Sequence, residues 1–344
     1  MDNIWDFYSD DDEEIIEFIS RPRIRDVNLR TNLFESLNDS KFVRRFRLTK
    51  ETTLLNNAVS PLNQILCTLR FYATGSQLIT CGDLIGVDES TACRIVHRVT
   101  HAIASLYHSY IKLPSTSEDQ QSNASEFFRI AKFPRVVGAI DCTHVRLMSP
   151  GGDNAEIYRN RKGYFSVNTQ CVAAANLRFL DVVARWHGSA HDSNIWHNCA
   201  LKRKFLQGQF ENKFLLGDSG YPQTSHMMTP LADGRVQTRG EILYQESQIK
   251  TRNVVERAFG VWKRRFPILS RGISIKLARV PGIIVATAVL HNLAIQQNEN
   301  VPPEDPEFPV IPEEIIMQNP LHHQQRGSRN LERTLLIEEY FARL

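Results

Sequence analysis

The sequence predicts a mixed α/β chain, with a helical N-terminal part ahead of a strand-rich body that further helices close. Three observations predict it. Residues 41–112 carry helical spacing and few strand signals. The stretches "RVVGAIDCTHVRL" (135–147) and "FSVNTQCVAAANLRFLDVVARW" (165–186) are rich in β-branched and aromatic residues. Two late stretches, 252–266 and about 280–297, return to helical spacing. At 344 residues the chain has material for one or two domains with a sizeable core.

In chain order, residues 1–20 hold eight acids and no Lys or Arg. They read as a flexible acidic arm on which Ile15, Ile16, Phe18 and Ile19 offer apolar side chains for docking. Residues 21–113 read as a helical N-terminal domain. Inside it, "QLITCGDLIGVDESTACRIVHRVTHAIASLY" has the form of a helix, a tight turn at Gly86-Val87-Asp88 and a second helix. Ser90 or Asp88 is placed to cap that second helix, with Glu89 in its first turn. A helix-turn-helix at about 77–105 would lay its second helix in the major groove of DNA. Arg94 and Arg98 are then the candidate base or phosphate contacts, although a plain helical hairpin has the same pattern. His97 and His101 share the i,i+4 spacing of a metal pair, but no third ligand stands near them.

The polar run "PSTSEDQQSNAS" (114–125) predicts a linker over 114–128. Val136 to Ile140 form an apolar run closed by Asp141, so Asp141 is expected at or near the carboxyl end of a central strand. Residues 165–186 read as a hairpin turning near Asn176, followed by helix around 192–207. "KFLLGD" (213–218) is a short buried strand ended by Asp218, with Gly217 and Gly220 on either side. In "RNVVERAFGVWKRRF" (252–266), Val254, Val255, Ala258, Phe259, Val261, Trp262 and Phe266 share one helical arc. That stretch holds five cations and a single acid, Glu256. Residues 299–344 begin with five Pro in 301–312, an extended linker, and end in "LERTLLIEEYFARL", a short amphipathic docking helix.

Net charge is +3 overall but unevenly spread: −8 over 1–20, +4 over 21–129, +11 over 130–300 and −4 over 301–344. A basic body suits a polyanionic partner, and acidic ends can screen it. The six Cys show no C-x-x-C spacing, which argues against zinc and against a disulfide framework. The acidic start is unlike a signal peptide, and "GIIVATAVLHNLAI" is interrupted by His291 and Asn292. A soluble intracellular protein with no membrane partner is therefore expected.

Packing does not explain an Asp at the end of each of two apolar strands, or a lone Glu among cations. Were Asp141, Asp218 and Glu256 to converge, repulsion would be severe without bound cations. Hard divalent ions take carboxylate oxygens and keep sites for water and phosphate. Two such ions about 4 Å apart suit phosphodiester displacement. Gly260, one turn beyond Glu256, leaves room for such an approach.

In order and at fitting intervals, "GAIDCTHV", "HGSAHDSNIW", "LLGDSGY", "MMTPL" and "NVVERAFGVWKRRFPIL" resemble the DDE nuclease domain of the PIF/Harbinger transposases and their domesticated relatives. The resemblance spans roughly residues 40–297. It implies a ribonuclease H-like catalytic domain over 129–298, a mixed sheet flanked by helices, preceded by an α-helical domain with a helix-turn-helix. By motif matching, Asp141, Asp218 and Glu256 are the catalytic acids and the ligands of two divalent ions, Mg²⁺ or Mn²⁺. Asp192 of "HDS" also recurs in the family pattern. It either caps the helix that follows or lies near the metals, with Asp218 favoured as the second acid. His144, His187 and His191 are secondary candidates near the site. Arg252, Arg257, Lys263 and Arg264 are candidates for holding the DNA backbone.

The implied activity is that of a DNA transposase or nuclease that cleaves phosphodiesters at transposon ends and joins the 3′-hydroxyl to target DNA. The implied partners are the terminal repeats, the target DNA and a Myb-like DNA-binding protein, contacted through residues 1–20 or 331–344. The implied setting is the nucleus, with entry dependent on that partner, and the implied assembly a homodimer or higher oligomer. The alternative is a domesticated DNA-binding or recruitment protein without transposition activity.

Overall fold

The computed structural model describes residues 37–46, 59–232, 236–303 and 331–344. The acidic arm 1–20 and most of the Pro-rich stretch lie outside the described residues. The N-terminal helices are α1 (Asp39–Phe46), α2 (Pro61–Thr74), α3 (Leu78–Asp83), α4 (Glu89–Ala104), α5 (Tyr107–Tyr110) and α6 (Ser117–Ala131). Between α3 and α4 the chain turns through Gly86 at φ 70°. Of the two possible caps, Asp88 takes the position, and its Oδ1 accepts Thr91 N–H at 2.8 Å. Hydrogen bonds from Ser90 and Thr91 hold its carboxyl down at about 2.

The segment expected as a linker is helical instead. Thr116 caps α6 by accepting Asp119 N–H, acids fill its first turn, and Gln120, Ala124 and Phe127 form one buried face. The polar composition belongs to the outer face, and a polar run does not exclude an amphipathic helix when its few apolar residues fall at i, i+3 and i+4.

Five strands follow the order β3-β2-β1-β4-β5. They are β1 (Val136–Arg146), β2 (Ser166–Ala173), β3 (Phe179–His187), β4 (Phe214–Leu216) and β5 (Met227–Met228), with α7 (Asp192–His197) and α8 (Ala200–Leu206) between β3 and β4. β2 pairs antiparallel with β1 and β3, while β4 runs parallel to β1 and β5. The hairpin of β2 and β3 turns at Ala174–Arg178, as the sequence reading places it. After the sheet come α9 (Arg239–Arg265), α10 (Ile268–Arg271), α11 (Val280–Gln296) and α12 (Leu331–Leu335). A five-stranded mixed sheet with helices against it fits the ribonuclease H-like expectation.

One apolar cluster runs from the N-terminal helices into the sheet. Phe71, Tyr72, Ile95 and Val96 join Val136, Ala139, Leu216, Val255, Trp262 and Ile284 in it. Tyr72 meets Phe266 edge-on at 6.3 Å, and Arg271 Nη1 donates to Thr74 O. The boundary drawn near residues 113–129 therefore does not separate two cores, because α2 and α4 complete the core that the sheet's helices leave open. The helical stretch Leu277–Gln296, which contains α11, is long and apolar enough to cross a membrane, but more than half of its apolar window is buried inside the fold. Its Asn292 pairs with both backbone groups of Phe179 and donates to Tyr110 O.

The C-terminal tail docks on its own chain. Phe341 is buried against Phe133 and Tyr244, with ring centroids at 5.4 and 5.6 Å, and Tyr340 Oη donates to Lys132 O. Leu336 and Phe341 are thus committed to this chain's core, while Leu331, Leu335 and Leu344 remain exposed.

Candidate active site

Parallel pairing of β1 and β4 aligns Ala139 with Leu216. Two residues further along the chain from each stand Asp141 and Asp218. Equal offsets in a parallel register set two side chains abreast. Asp141 is not at its strand's end, where the apolar run alone places it. β1 continues to Arg146 because β2 goes on pairing with it, Asp141 lying opposite Cys171, whereas β4 stops at Leu216. Asp141 therefore sits where one side of β1 opens. Asp218 turns back to accept Gly220 N–H through Oδ1 at 2.9 Å.

Asp192 reaches the same place from β3. The loop between His187 and Asp192 presses so closely on its neighbours that a Cβ at Gly188 would lie 2.3 Å from Tyr158 O. Asn168 on β2 ties the loop down. Its Nδ2 donates to Ala190 O at 2.9 Å and to Asp192 Oδ1 at 3.0 Å. His191, not Asp192, takes the N-cap position of α7, so the expected capping role is corrected. The Asp192 carboxylate instead joins the other two. One oxygen each from Asp141, Asp192 and Asp218 lie within 4.8 Å of one another, the only such group found among the described residues. The choice between Asp192 and Asp218 dissolves, since the fold brings in both.

Helix α9 lies across this end of the sheet and is pinned at successive turns. Thr238 and Glu241 start it with a reciprocal capping box. Gln248 Nε2 donates to Gly217 O at 2.8 Å, beside Asp218. One turn on, Arg252 Nη1 donates to Asp141 Oδ2 at 3.1 Å and pairs with Glu256 Oε1. Further along, Lys263 Nζ donates to His144 O at 3.1 Å. Glu256 is therefore not in the group of three; it is joined to Asp141 through a guanidinium.

Burial pushes the Asp141 carboxyl well above the usual carboxylate range. The Asp218 charge adds to this, Arg252 opposes it, and Asp192 raises it further. Burial also raises Asp192, against the Asn168 hydrogen bond and with the Asp218 charge. Clustered carboxylate oxygens whose ionisation is resisted by burial and by each other fit a hard divalent cation.

The predicted cations divide. Arg252 is half-buried and Lys263 buried, and both are engaged within the fold rather than turned out toward a backbone phosphate. Long stems let both charges curl inward from positions that a helical wheel places at the edge. Arg257 is exposed and Arg264 half-buried on α9, while Arg94 and Arg98 are exposed on α4. The histidines lie outside the carboxylate group. His144 bonds Ser166 Oγ at 3.0 Å, His187 bonds Ser189 Oγ at 2.9 Å, and His191 pairs with Arg161.

Sequence reasoning missed Asn168, and also Arg161, whose charge acts on Asp192. It missed the contact of Cys142 Sγ with Tyr221 Oη at 3.3 Å as well. A signal for the first was present. "SVNTQ" puts four polar residues in a strand whose every position is buried, and buried polar groups need partners.

Residues 140–292 match the family described as DDE superfamily endonuclease. The human protein named "Putative nuclease HARBI1" is 31% identical over 252 residues, covering 72% of this chain and 71% of its own. The Bos taurus protein of the same name is 32% identical with the same coverage. "Protein ALP1-like" of Arabidopsis thaliana is 23% identical over 288 residues, 79% of this chain and 68% of its own. No solved structure matches the chain.

Proposed function

The chain belongs to the Harbinger transposase-derived nuclease family, and from that premise we propose that it is a metal-dependent DNA endonuclease and strand transferase. The observation that carries the proposal is the convergence of three aspartate oxygens within 4.8 Å at the open end of the β1–β4 pair. Asp141, Asp192 and Asp218 would hold Mg²⁺ or Mn²⁺, and Glu256 would serve a second ion. Bound there, such ions supply an activated oxygen nucleophile and stabilise the leaving oxygen in phosphodiester displacement.

The chain's own residues do the positioning. Asn168 fixes Asp192, the Gly220 N–H fixes Asp218, and the β1–β2 pairing fixes Asp141. Water is the first nucleophile, and the released 3′-hydroxyl then attacks target DNA. The α3–α4 pair acts as a helix-turn-helix whose exposed Arg94 and Arg98 contact DNA, while Arg257 offers a further backbone contact on α9. A Myb-like protein supplies sequence recognition and nuclear entry, contacted through residues 1–20 or 331–344, and two copies of the chain act together on two ends.

Asp141→Asn, Asp192→Asn and Asp218→Asn should each abolish Mg²⁺-dependent nicking of plasmid DNA by the purified protein, with DNA binding largely retained. Full nicking by the Asp141 or Asp218 variant would reject the proposal. DNA binding without any metal-dependent cleavage by the unsubstituted chain would favour the recruitment alternative.

A further inference from the structure

Arg252 meets its two acids in an unusual way. A single atom, Nη1, contacts both Asp141 Oδ2 and Glu256 Oε1. Two carboxylates from different elements thus converge on one point of positive charge, as they would on a bound cation. Surface pairing does not explain this. The side chains of Arg252, Asp141 and Glu256 are only 12%, 16% and 21% exposed, and an Arg placed before its Glu is the weaker i,i+4 order. Asp141 stands between two cation positions, one toward Asp192 and Asp218, the other toward Glu256.

Resting on the nuclease reading, we infer that Arg252 is a positioning residue that holds the Asp141–Glu256 cation position in the metal-free protein and yields it when the site takes up divalent metal. Without metal, four acids share this end of the sheet, and the guanidinium keeps Asp141 and Glu256 aimed at one point. A divalent ion drawing on the same two oxygens competes with Nη1 for their lone pairs and repels its charge. The helix face beside Glu256 is open. A Cβ placed at Gly260, one turn from Glu256, meets nothing within 4 Å. Glu256 then joins the aspartates only after Arg252 moves, which accounts for its absence from the group of three.

Competition for one position has a measurable signature, because metal and guanidinium must weaken one another's binding. The experiment is Mg²⁺ titration of the full chain, read by melting temperature and by calorimetry, for the unsubstituted protein, Arg252→Gln and Arg252→Lys. Arg252→Gln should lower the metal-free melting temperature by roughly 5–10 °C and tighten Mg²⁺ binding about tenfold. Saturating Mg²⁺ should then restore most of the lost melting temperature. Arg252→Lys, which keeps a charge on a shorter reach, should tighten binding by a smaller factor, and it carries the test if the Gln variant fails to fold. Unchanged or weaker Mg²⁺ binding in the folded variants, with normal binding by the unsubstituted chain, overturns the inference alone. No Mg²⁺ binding by the unsubstituted chain overturns the nuclease reading and this inference together.

Discussion

Helices α4 and α9 both read as basic in the sequence, yet they use their cations in opposite ways. On α4, Arg94 and Arg98 are exposed and reach only neutral oxygens, Thr91 Oγ1 at 2.9 Å and Gln64 Oε1 at 3.4 Å. On α9, the half-buried Arg252 and the buried Lys263 answer a carboxylate pair and a backbone carbonyl. The difference shows what a run of basic residues can mean. Cations on α4 are available for a partner, whereas on α9 Arg252 turns inward to two of the chain's own acids and Lys263 to a backbone carbonyl. A buried charge must find a partner inside the fold, and an exposed one need not.

If that contrast is sound, substitutions on the two helices should separate stability from binding. The largest effect is expected at Arg252. Arg252→Ala leaves Asp141 and Glu256 without their shared counter-ion and should cost about 3–5 kcal/mol in metal-free denaturant unfolding. A loss under about 1 kcal/mol would erase the distinction between the helices.

Next comes Asp181 on β3, a half-buried acid on the far side of the same question. Burial raises its carboxyl to about 6 from 3.8, against the Lys204 charge and the Tyr107 hydrogen bond. A raised folded value means that the protonated form stabilises the fold at low pH, and this contribution is lost as pH rises through about 6. Asp181→Asn should therefore raise stability at neutral pH by about 2–3 kcal/mol and flatten its dependence between pH 4 and 6. Unfolding curves across that range decide it, and an unchanged pH profile would mean that Asp181 is better solvated than its burial implies.

Gly260→Ala should stabilise α9 by about 0.5–1 kcal/mol, since the added methyl meets open space. Cleavage should fall at the same time if that opening is used by Arg252 or DNA. Stability and cleavage rising together would show the space to be idle. The smallest effect on stability belongs to Arg94→Ala and Arg98→Ala. They should leave the unfolding midpoint in place while weakening DNA binding and lowering its salt slope by about one each. A pair of variants that bind DNA normally would reduce α3–α4 to a structural hairpin.

Much of this was legible in the sequence because local pattern carries it. Two apolar runs each followed by an Asp, a hairpin turning near Asn176 and a helix with one apolar arc all follow from periods of 2 and 3.6. Ordered motifs named the family as well as Asp141, Asp218 and Glu256. Asp192 was visible as a candidate but not as a neighbour of the other two. The linker expected at 114–128 failed because three buried side chains suffice to dock a helix whose remaining residues are mostly polar.

The sequence by itself determined which residues could do chemistry and on which elements they lie, since residue type and periodicity are local properties. Only the tertiary structure decided which of them meet. The Ala139–Leu216 register sets Asp141 beside Asp218, Asn168 on a different strand turns Asp192 toward them, and α9 interposes Arg252 before Glu256. Those juxtapositions depend on strand register and on the reach of long side chains, and neither is written in the spacing along the chain.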